Sequence, residues 1–359
     1  MALDSSTDTG VPDNYHVKTL PAIPKLGPLY GRGAVSSIAA MAKKGALELP
    51  NIAYEVTDVP TTPLANELRA YQQLVGEPVS DTLPSGFLHV LAFPLATAVM
   101  VRTDFPLPLL GMVHLANDAT LFSPVHLGDV LEVRAWTENL RSHRRGAQVD
   151  IVAEIWKLPP ADATADPDGS ASVQGASAPI LAWWGVSTYL AKGVKLGAAG
   201  ADGDTGTARF DDEARYDDAG ESAGVPVSTT EADEKADWMP PHPTARWRLA
   251  SKLGREYGAI SGDRNPIHMS ALSAKAFGFP RAIAHGMYTA ARALAETGAG
   301  RGDTYRWTVE FAKPVLLPSI VDISIKKEKT LSPAVKQFDY VGWNAAKKIK
   351  HFSGTVTPI

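Results

Sequence analysis

Apolar and polar side chains alternate with a period of two over several runs of the chain, the mark of strands with one buried face. In the first half Leu131, Val133 and Ala135 alternate with Glu132, Arg134 and Trp136, and Val149, Ile151, Ala153 and Ile155 form a second set. In the second half Val321, Ile323 and Ile325 alternate with Asp322, Ser324 and Lys326. Ile180 to Ala191 is rich in aromatic and β-branched residues and reads as a further strand. A different pattern occupies Phe87 to Val101, which is apolar almost throughout and interrupted only by His89 and Pro94. It is shorter than the roughly 20 residues a bilayer-spanning helix needs, so it is predicted as a helix buried in a protein core. Gly286 to Glu296 reads as a second apolar helix.

Two stretches interrupt these patterns. Pro159 to Pro179 and Gly197 to Asp237 are built from Ala, Asp, Gly and Ser, with too little apolar surface to offset the entropy of ordering them. The first lies between strand patterns and is predicted as a long hairpin loop, the second as an inter-domain linker. The expected organisation is an N-terminal unit over 1–192, a linker over 193–241 and a C-terminal unit over 242–359. A partial repeat relates the two units. Phe122, Pro124, Val125, Leu127 and Val130 are echoed by Phe311, Pro314, Val315, Leu317 and Ile320, with one residue of slip at the phenylalanine. Each copy enters a strand and lies downstream of an apolar helix, so duplication is the expected origin. The predicted fold class is α+β, two similar units that each wrap an antiparallel sheet around a central helix.

Candidate chemistry concentrates between Tyr257 and His268 (YGAISGDRNPIH). Leu253, Tyr257 and Ile260 recur at helical spacing, and that helix is predicted to end at Ser261 and Gly262. Asn265 and Pro266 then restart a helix, since Asn is a favoured cap and Pro suits the first helical position. Asp263 falls in the connecting turn and His268 in the first turn of the new helix, so both can face one cleft. Further on, His285, Gly286 and Met287 open the second apolar helix. A glycine there lets a ligand approach backbone N–H groups at the positive end of the helix, a place to stabilise an oxygen that gains negative charge. Ser261 either touches the site or only caps its helix. His285 either supports the site or only opens the helix. Tyr257 is predicted as core, and His89 and His114 as satisfied interior histidines.

The segment from Tyr257 to His268, followed by His285, Gly286 and Met287, closely resembles the hydratase 2 motif of the MaoC-like, (R)-specific enoyl-CoA hydratase family. The motif covers about thirty residues, and family-like character extends over Trp247 to Ile359. The N-terminal half, through Phe105 to His114 and Phe122 to Val125, resembles more loosely the partner unit of bacterial two-unit dehydratases. The resemblance implies a double hot dog. It implies (R)-specific dehydration of a 3-hydroxyacyl thioester, or hydration of a trans-2-enoyl thioester, in fatty-acid metabolism. Asp263 and His268 take the place of the family's catalytic pair, Gly286 that of its oxyanion-hole N–H, and Asn265 that of its supporting asparagine. The N-terminal half has no Asp-x-Asn-Pro-x-His, so one site per chain is expected, unlike single-unit members that form two per dimer. A carboxylate and an imidazole around one water supply both proton transfers that hydration needs, with no metal and no cofactor. Two rivals remain at this level: a hot-dog acyl-CoA thioesterase, and an acyl-carrier-binding subunit without activity.

Composition narrows the setting. The chain has no cysteine, which excludes disulfides, thiolate metal sites and a cysteine nucleophile. The histidines are too scattered for a zinc motif, and Gly298, Gly300 and Gly302 follow a helix instead of a strand, so no dinucleotide loop is expected. Asp4, Asp8 and Asp13 break any early apolar core, so no secretory signal is read and a cytoplasmic setting is expected. Residues 199–237 carry twelve acidic side chains against three basic ones, within a formal net charge of −4. The remainder is therefore mildly basic and suits an anionic carrier, coenzyme A or an acyl carrier protein. Lys326, Lys327 and Lys329, and Lys347, Lys348 and Lys350, read as solvated strand ends. No nucleic-acid partner and no membrane span is expected, and the sequence leaves homodimer formation open.

Overall fold

The computed structural model of the chain describes residues 10–33, 47–109, 111–160, 178–196, 238–329 and 336–359. Residues 161–177 of the expected hairpin loop and 197–237 of the expected linker lie outside the described residues.

The first half contains β1 (His16–Thr19), β2 (Ile52–Pro60), α1 (Ala65–Val75), α2 (Ser85–Met100), β3 (Val113–Leu121), β4 (Val130–His143), β5 (Gly146–Lys157) and β6 (Ile180–Lys192). The second half contains β7 (Ala245–Leu249), α3 (Leu253–Ser261), α4 (Pro266–Met269), α5 (Ala271–Ala276), α6 (Gly286–Glu296), β8 (Tyr305–Phe311), β9 (Ser319–Lys329), β10 (Lys336–Asn344) and β11 (Lys350–Pro358). All strands join one eleven-stranded sheet in the order β1-β2-β4-β5-β6-β3-β8-β11-β10-β9-β7. From the outside inward, β2-β4-β5-β6-β3 mirrors β7-β9-β10-β11-β8, and β1 is added in parallel at one edge. The halves meet where β3 pairs antiparallel with β8, from Ala116 opposite Glu310 to Leu121 opposite Tyr305.

Each half wraps its sheet around an apolar helix, the double hot dog. α2, apolar on every side, lies against β2, β4 and β5, and α6 lies against β8 and β9. Leu88, Leu95 and Val99 of α2 are fully buried, as are Ala290 and Ala293 of α6. Removing such apolar surface from water is the main force holding each sheet to its helix. The strand expected over Ile180 to Ala191 is β6, paired antiparallel with β5, as a hairpin requires.

The duplication expected from the Pro-Val turns extends to individual hydrogen bonds. Leu83 N–H donates to the Val125 carbonyl at 2.8 Å and Leu127 N–H to the Asp81 carbonyl at 2.8 Å. In the other half, Ala284 N–H donates to the Val315 carbonyl at 2.8 Å and Leu317 N–H to the Ala282 carbonyl at 2.7 Å. The Phe122 and Ser123 N–H groups share the Ala182 carbonyl, as those of Ala312 and Lys313 share that of His351. Pro124 thus sits on Pro314, and the slip falls at the phenylalanine.

Burial departs from simple alternation in β4, where Glu132 and Trp136 are buried beside Leu131, Val133 and Ala135. The cause is a second small core on the outer face of the first sheet. Ala53, Trp136 and Val152 cluster there under Val11, Tyr15, Trp184 and Val186, and the Tyr15 hydroxyl donates to the Thr137 carbonyl at 2.7 Å. Among the described residues, no helix is long and apolar enough to cross a membrane.

Candidate active site

α3 ends at Gly262, whose φ of 72° is the left-handed cap conformation that favours glycine. The chain then turns through Asp263 to Asn265, whose side chain accepts from Ile267 N–H at 3.4 Å and starts α4 with Pro266 in its first turn. His268 is buried in that single turn. α3 presses closely on this turn: a Cβ at Gly254 would stand 2.1 Å from the His268 carbonyl oxygen. The expected caps therefore place the two candidate residues as the sequence implied.

Asp263 is held from several sides. Its Oδ1 accepts from Asn265 N–H at 3.1 Å and from the Tyr30 hydroxyl at 2.5 Å. Its own N–H donates to Ser261 Oγ at 3.2 Å, while that hydroxyl donates to the Tyr257 carbonyl at 2.9 Å. Ser261 thus caps α3 and fixes the turn at once. His268 Nδ1 lies 2.9 Å from the Ile283 carbonyl. A carbonyl only accepts, so Nδ1 carries the proton and Nε2 keeps a lone pair. His285 does more than open α6. Its Nε2 donates to the Asp263 carbonyl at 3.0 Å and lies 3.5 Å from Oδ2, and its ring stacks on His268 with centroids 3.6 Å apart.

The electrostatics suit proton transfer. Burial alone would raise the Asp263 carboxyl, but His285, His268, the Tyr30 hydroxyl and Asn265 N–H outweigh it and hold the group below its ordinary value. Burial pushes His268 down despite the opposing pull of Asp263 and the Ile283 carbonyl, and it pushes His285 down to about 3. At neutral pH this is a carboxylate beside neutral imidazoles. One ligand atom each from Asp263, His268 and His285 lies within 4.8 Å of the others. A single water reaching about 2.8 Å to each side spans that gap. A metal ion could also use the spacing, although one nitrogen of each imidazole is already engaged by a backbone carbonyl.

Gly286 is the first residue of α6, so its N–H has no acceptor within the helix. A Cβ there would meet the Phe311 ring at 2.9 Å, so glycine lets that ring close over the helix start. Asp263, His268, Gly286 and Phe311 share one cavity of about 340 Å³, which continues between the halves to His89, Phe93 and Met100 of α2 and to Tyr189 of β6. Asn265, Ser261 and His285 line it too, so the structure brings all six sequence-predicted site residues together.

Three features escape sequence reasoning. Tyr30 comes from a helical segment at 26–33, lies 233 residues from Asp263, and carries no local signal of its role. Leu26 of the same segment packs on Gly262, at 3.0 Å from where a Cβ would stand. Removing the hydroxyl with Tyr30→Phe is expected to let the Asp263 carboxyl titrate higher and to lower turnover about tenfold or more, the loss of one charge-assisted hydrogen bond. Carbon NMR of labelled aspartate and kcat measure the two effects. Secondly, His89 and His114 are interior as expected, but His114 is not satisfied: its Nε2 is buried without a hydrogen-bond partner among the described residues.

The third is the counterpart of the site in the first half. α1 ends at Gly76, φ 82°, as α3 ends at Gly262, and Tyr71 stands five residues before its glycine as Tyr257 does. Glu77 therefore occupies the place of Asp263, and Ser85, first in α2, that of Gly286. Both are already engaged. Glu77 is paired with Arg301 at 2.9 Å, and Ser85 N–H donates to the Tyr305 hydroxyl at 3.4 Å.

The sequence profile of the MaoC like domain matches residues 229–339. Over 309 residues the chain is 32% identical to 3-hydroxyacyl-thioester dehydratase X of Mycobacterium tuberculosis, which covers 86% of this chain and 90% of that protein. A shorter match, 39% identical over 74 residues, relates 20% of this chain to 47% of 3-hydroxybutyryl-CoA dehydratase of Methylorubrum extorquens. Among solved structures, HtdX of Mycobacterium tuberculosis is similar with a TM-score of 0.60 at 28% identity, covering 85% of this chain and 98% of that one. A MaoC-like dehydratase from Phytophthora capsici, at a TM-score of 0.51 and 14% identity over 85% of this chain and 94% of that one, shares the fold.

Proposed function

Because the chain belongs to the MaoC-like dehydratase family, we propose that it is an (R)-specific 3-hydroxyacyl-thioester dehydratase, equivalently a trans-2-enoyl hydratase, with Asp263 and His268 as its catalytic pair. The hydro-lyase class and the acyl-thioester substrate follow from its relatives, and the activity belongs to fatty-acid metabolism. One observation supports the assignment of residues: one ligand atom each of Asp263 and His268 lies within 4.8 Å of the other, a gap that one water spans, in the cavity that Gly286 at the start of α6 also lines.

In the hydration direction the dyad takes a proton from water as its oxygen bonds to C3. The π electrons of the C2–C3 bond move onto the thioester oxygen, where Gly286 N–H stabilises the enolate. The dyad then returns a proton to C2, and both additions occur on the face turned toward Asp263 and His268. Dehydration runs through the same steps in reverse. Tyr30, Asn265 N–H and His285 hold the pair in place and do not exchange protons with substrate.

The cavity accepts an acyl chain of moderate length. Its volume of about 340 Å³ is more than twice that of a ~150 Å³ cavity able to hold benzene, giving room for roughly a dozen non-hydrogen atoms. Arg145, Lys192 and Lys313 on its wall suit the anionic carrier, coenzyme A or an acyl carrier protein.

The direct test is hydration of trans-2-enoyl-CoA substrates from four to sixteen carbons, followed as loss of enoyl absorbance with product chirality determined. Absence of turnover at every length, or release of thiol from saturated acyl-CoA, would remove the proposal. The pH profile should have a plateau at neutral pH and an acid limb below the ordinary imidazole value of 6.5, because buried His268 resists protonation. Excess EDTA should leave the rate unchanged. A loss restored by added metal would make Asp263, His268 and His285 a metal site instead.

A further inference from the structure

Past the reacting end of the cavity its wall changes character. His114 of β3 lies one ring beyond Phe311, with centroids 5.2 Å apart, and Phe311 itself closes on Gly286. His114 stacks on Tyr189 at 4.5 Å and faces His89 at 6.3 Å, each pair only 14° from parallel. All three rings line the same cavity. His89 and Tyr189 also line a small recess next to it, walled by Ala92, Ala96 and Trp183 in the core of the first half.

One of these groups carries unmet hydrogen-bonding capacity. Nε2 of His114 is buried and has no partner among the described residues. Its other nitrogen faces the Ala116 carbonyl and must donate to it, which leaves Nε2 a pure acceptor. The Tyr189 hydroxyl adds a donor, and the His89 ring one donor and one acceptor. Burial pushes His89 down to about 4 and His114 to about 3, so both are uncharged at neutral pH. An uncharged imidazole nitrogen left unsatisfied within a largely apolar wall is unfavourable unless a ligand completes it.

We propose that His114, Tyr189 and His89 form a recognition site for a hydroxyl group carried on the acyl chain beyond the reacting carbons. A hydroxyl donates to Nε2 of His114 while accepting from Tyr189 or His89. A ketone leaves Nε2 unmet, a methylene offers it nothing either, and a carboxylate meets no cation among the three. The inference rests on reading the cavity as the acyl site, and it names the substrate as a hydroxylated acyl thioester.

The test measures binding, so that it stands apart from turnover. Saturated decanoyl-CoA is compared by calorimetry with its derivatives bearing a hydroxyl or a keto group at each position from C5 to C9, and with 3-hydroxydecanoyl-CoA. One hydroxylated isomer is expected to bind about 10–100-fold tighter than the plain chain, with the keto isomer between. In His114→Phe and in Tyr189→Phe, which preserve the ring stack, that ratio should fall toward one. Equal affinities for all chains in the wild type, the result if only water fills the site, would overturn the proposal. So would a preference confined to the 3-hydroxyl. Weaker binding of plain decanoyl-CoA in the variants with no gain from a chain hydroxyl would assign the cluster to the amides of the carrier arm, and would overturn it equally. Failure of enoyl-CoA hydration, by contrast, bears on the catalytic reading alone.

Discussion

His268→Ala and Asp263→Asn are each expected to lower kcat/KM for enoyl hydration by about 10³-fold or more, within the range of general acid–base catalysis. A thousandfold is roughly 4 kcal/mol of barrier. In the proposed mechanism each change removes one of the two groups that hold the water, and the same pair returns the proton to carbon. Because the groups act as a unit, the double variant should lose little more than either single one. Asn at 263 can still accept from Tyr30 and Asn265 N–H, so the turn should persist and thermal unfolding should change little. Additive losses would indicate that the residues act independently. Near-normal rates in a folded Asp263→Asn protein would dismiss the dyad.

Arg301→Leu is expected to have the largest effect on stability. Glu77 and Arg301 form an ion pair in which the carboxyl side chain is only 5% exposed and the guanidinium 15%. Removing one partner strands the other charge in the interior, which typically destabilises by about 3–5 kcal/mol. The loss should appear as a lower urea midpoint with an unchanged slope. Replacing both residues with leucine should recover most of it, since a buried pair is often no better than apolar side chains of similar volume. If the single and double replacements prove equally unstable, the pair is not what holds this region.

The parts of this protein that could be read directly are those whose physics is local. Asn265, Pro266 and Gly262 specify a helix end and a helix start within a few residues, and that punctuation alone sets Asp263 beside His268. The apolar runs marked both central helices because a helix enclosed by a sheet has no polar face to show. Tyr30 was invisible because its partner is distant in the chain and nothing around it distinguishes it from a core tyrosine. The alternation in β4 misled for a related reason: Trp136 faces outward from the helix, yet residues 11–15 fold back over it. Glu77 was hidden by a change of side chain and by the lack of any counterpart to α4 and α5 after it. Only its glycine cap and Tyr71 betray the correspondence.

The seam between β3 and β8 bears on how the proposed acyl cavity would measure its substrate. Six successive residue positions on each side are paired strand to strand, so the two halves that would enclose the acyl chain share one continuous sheet and have no hinge at this seam. On that reading the cavity is expected to act as a ruler of fixed length. Turnover should decline abruptly once a chain outgrows it, where a hinged pocket would show a gradual fall.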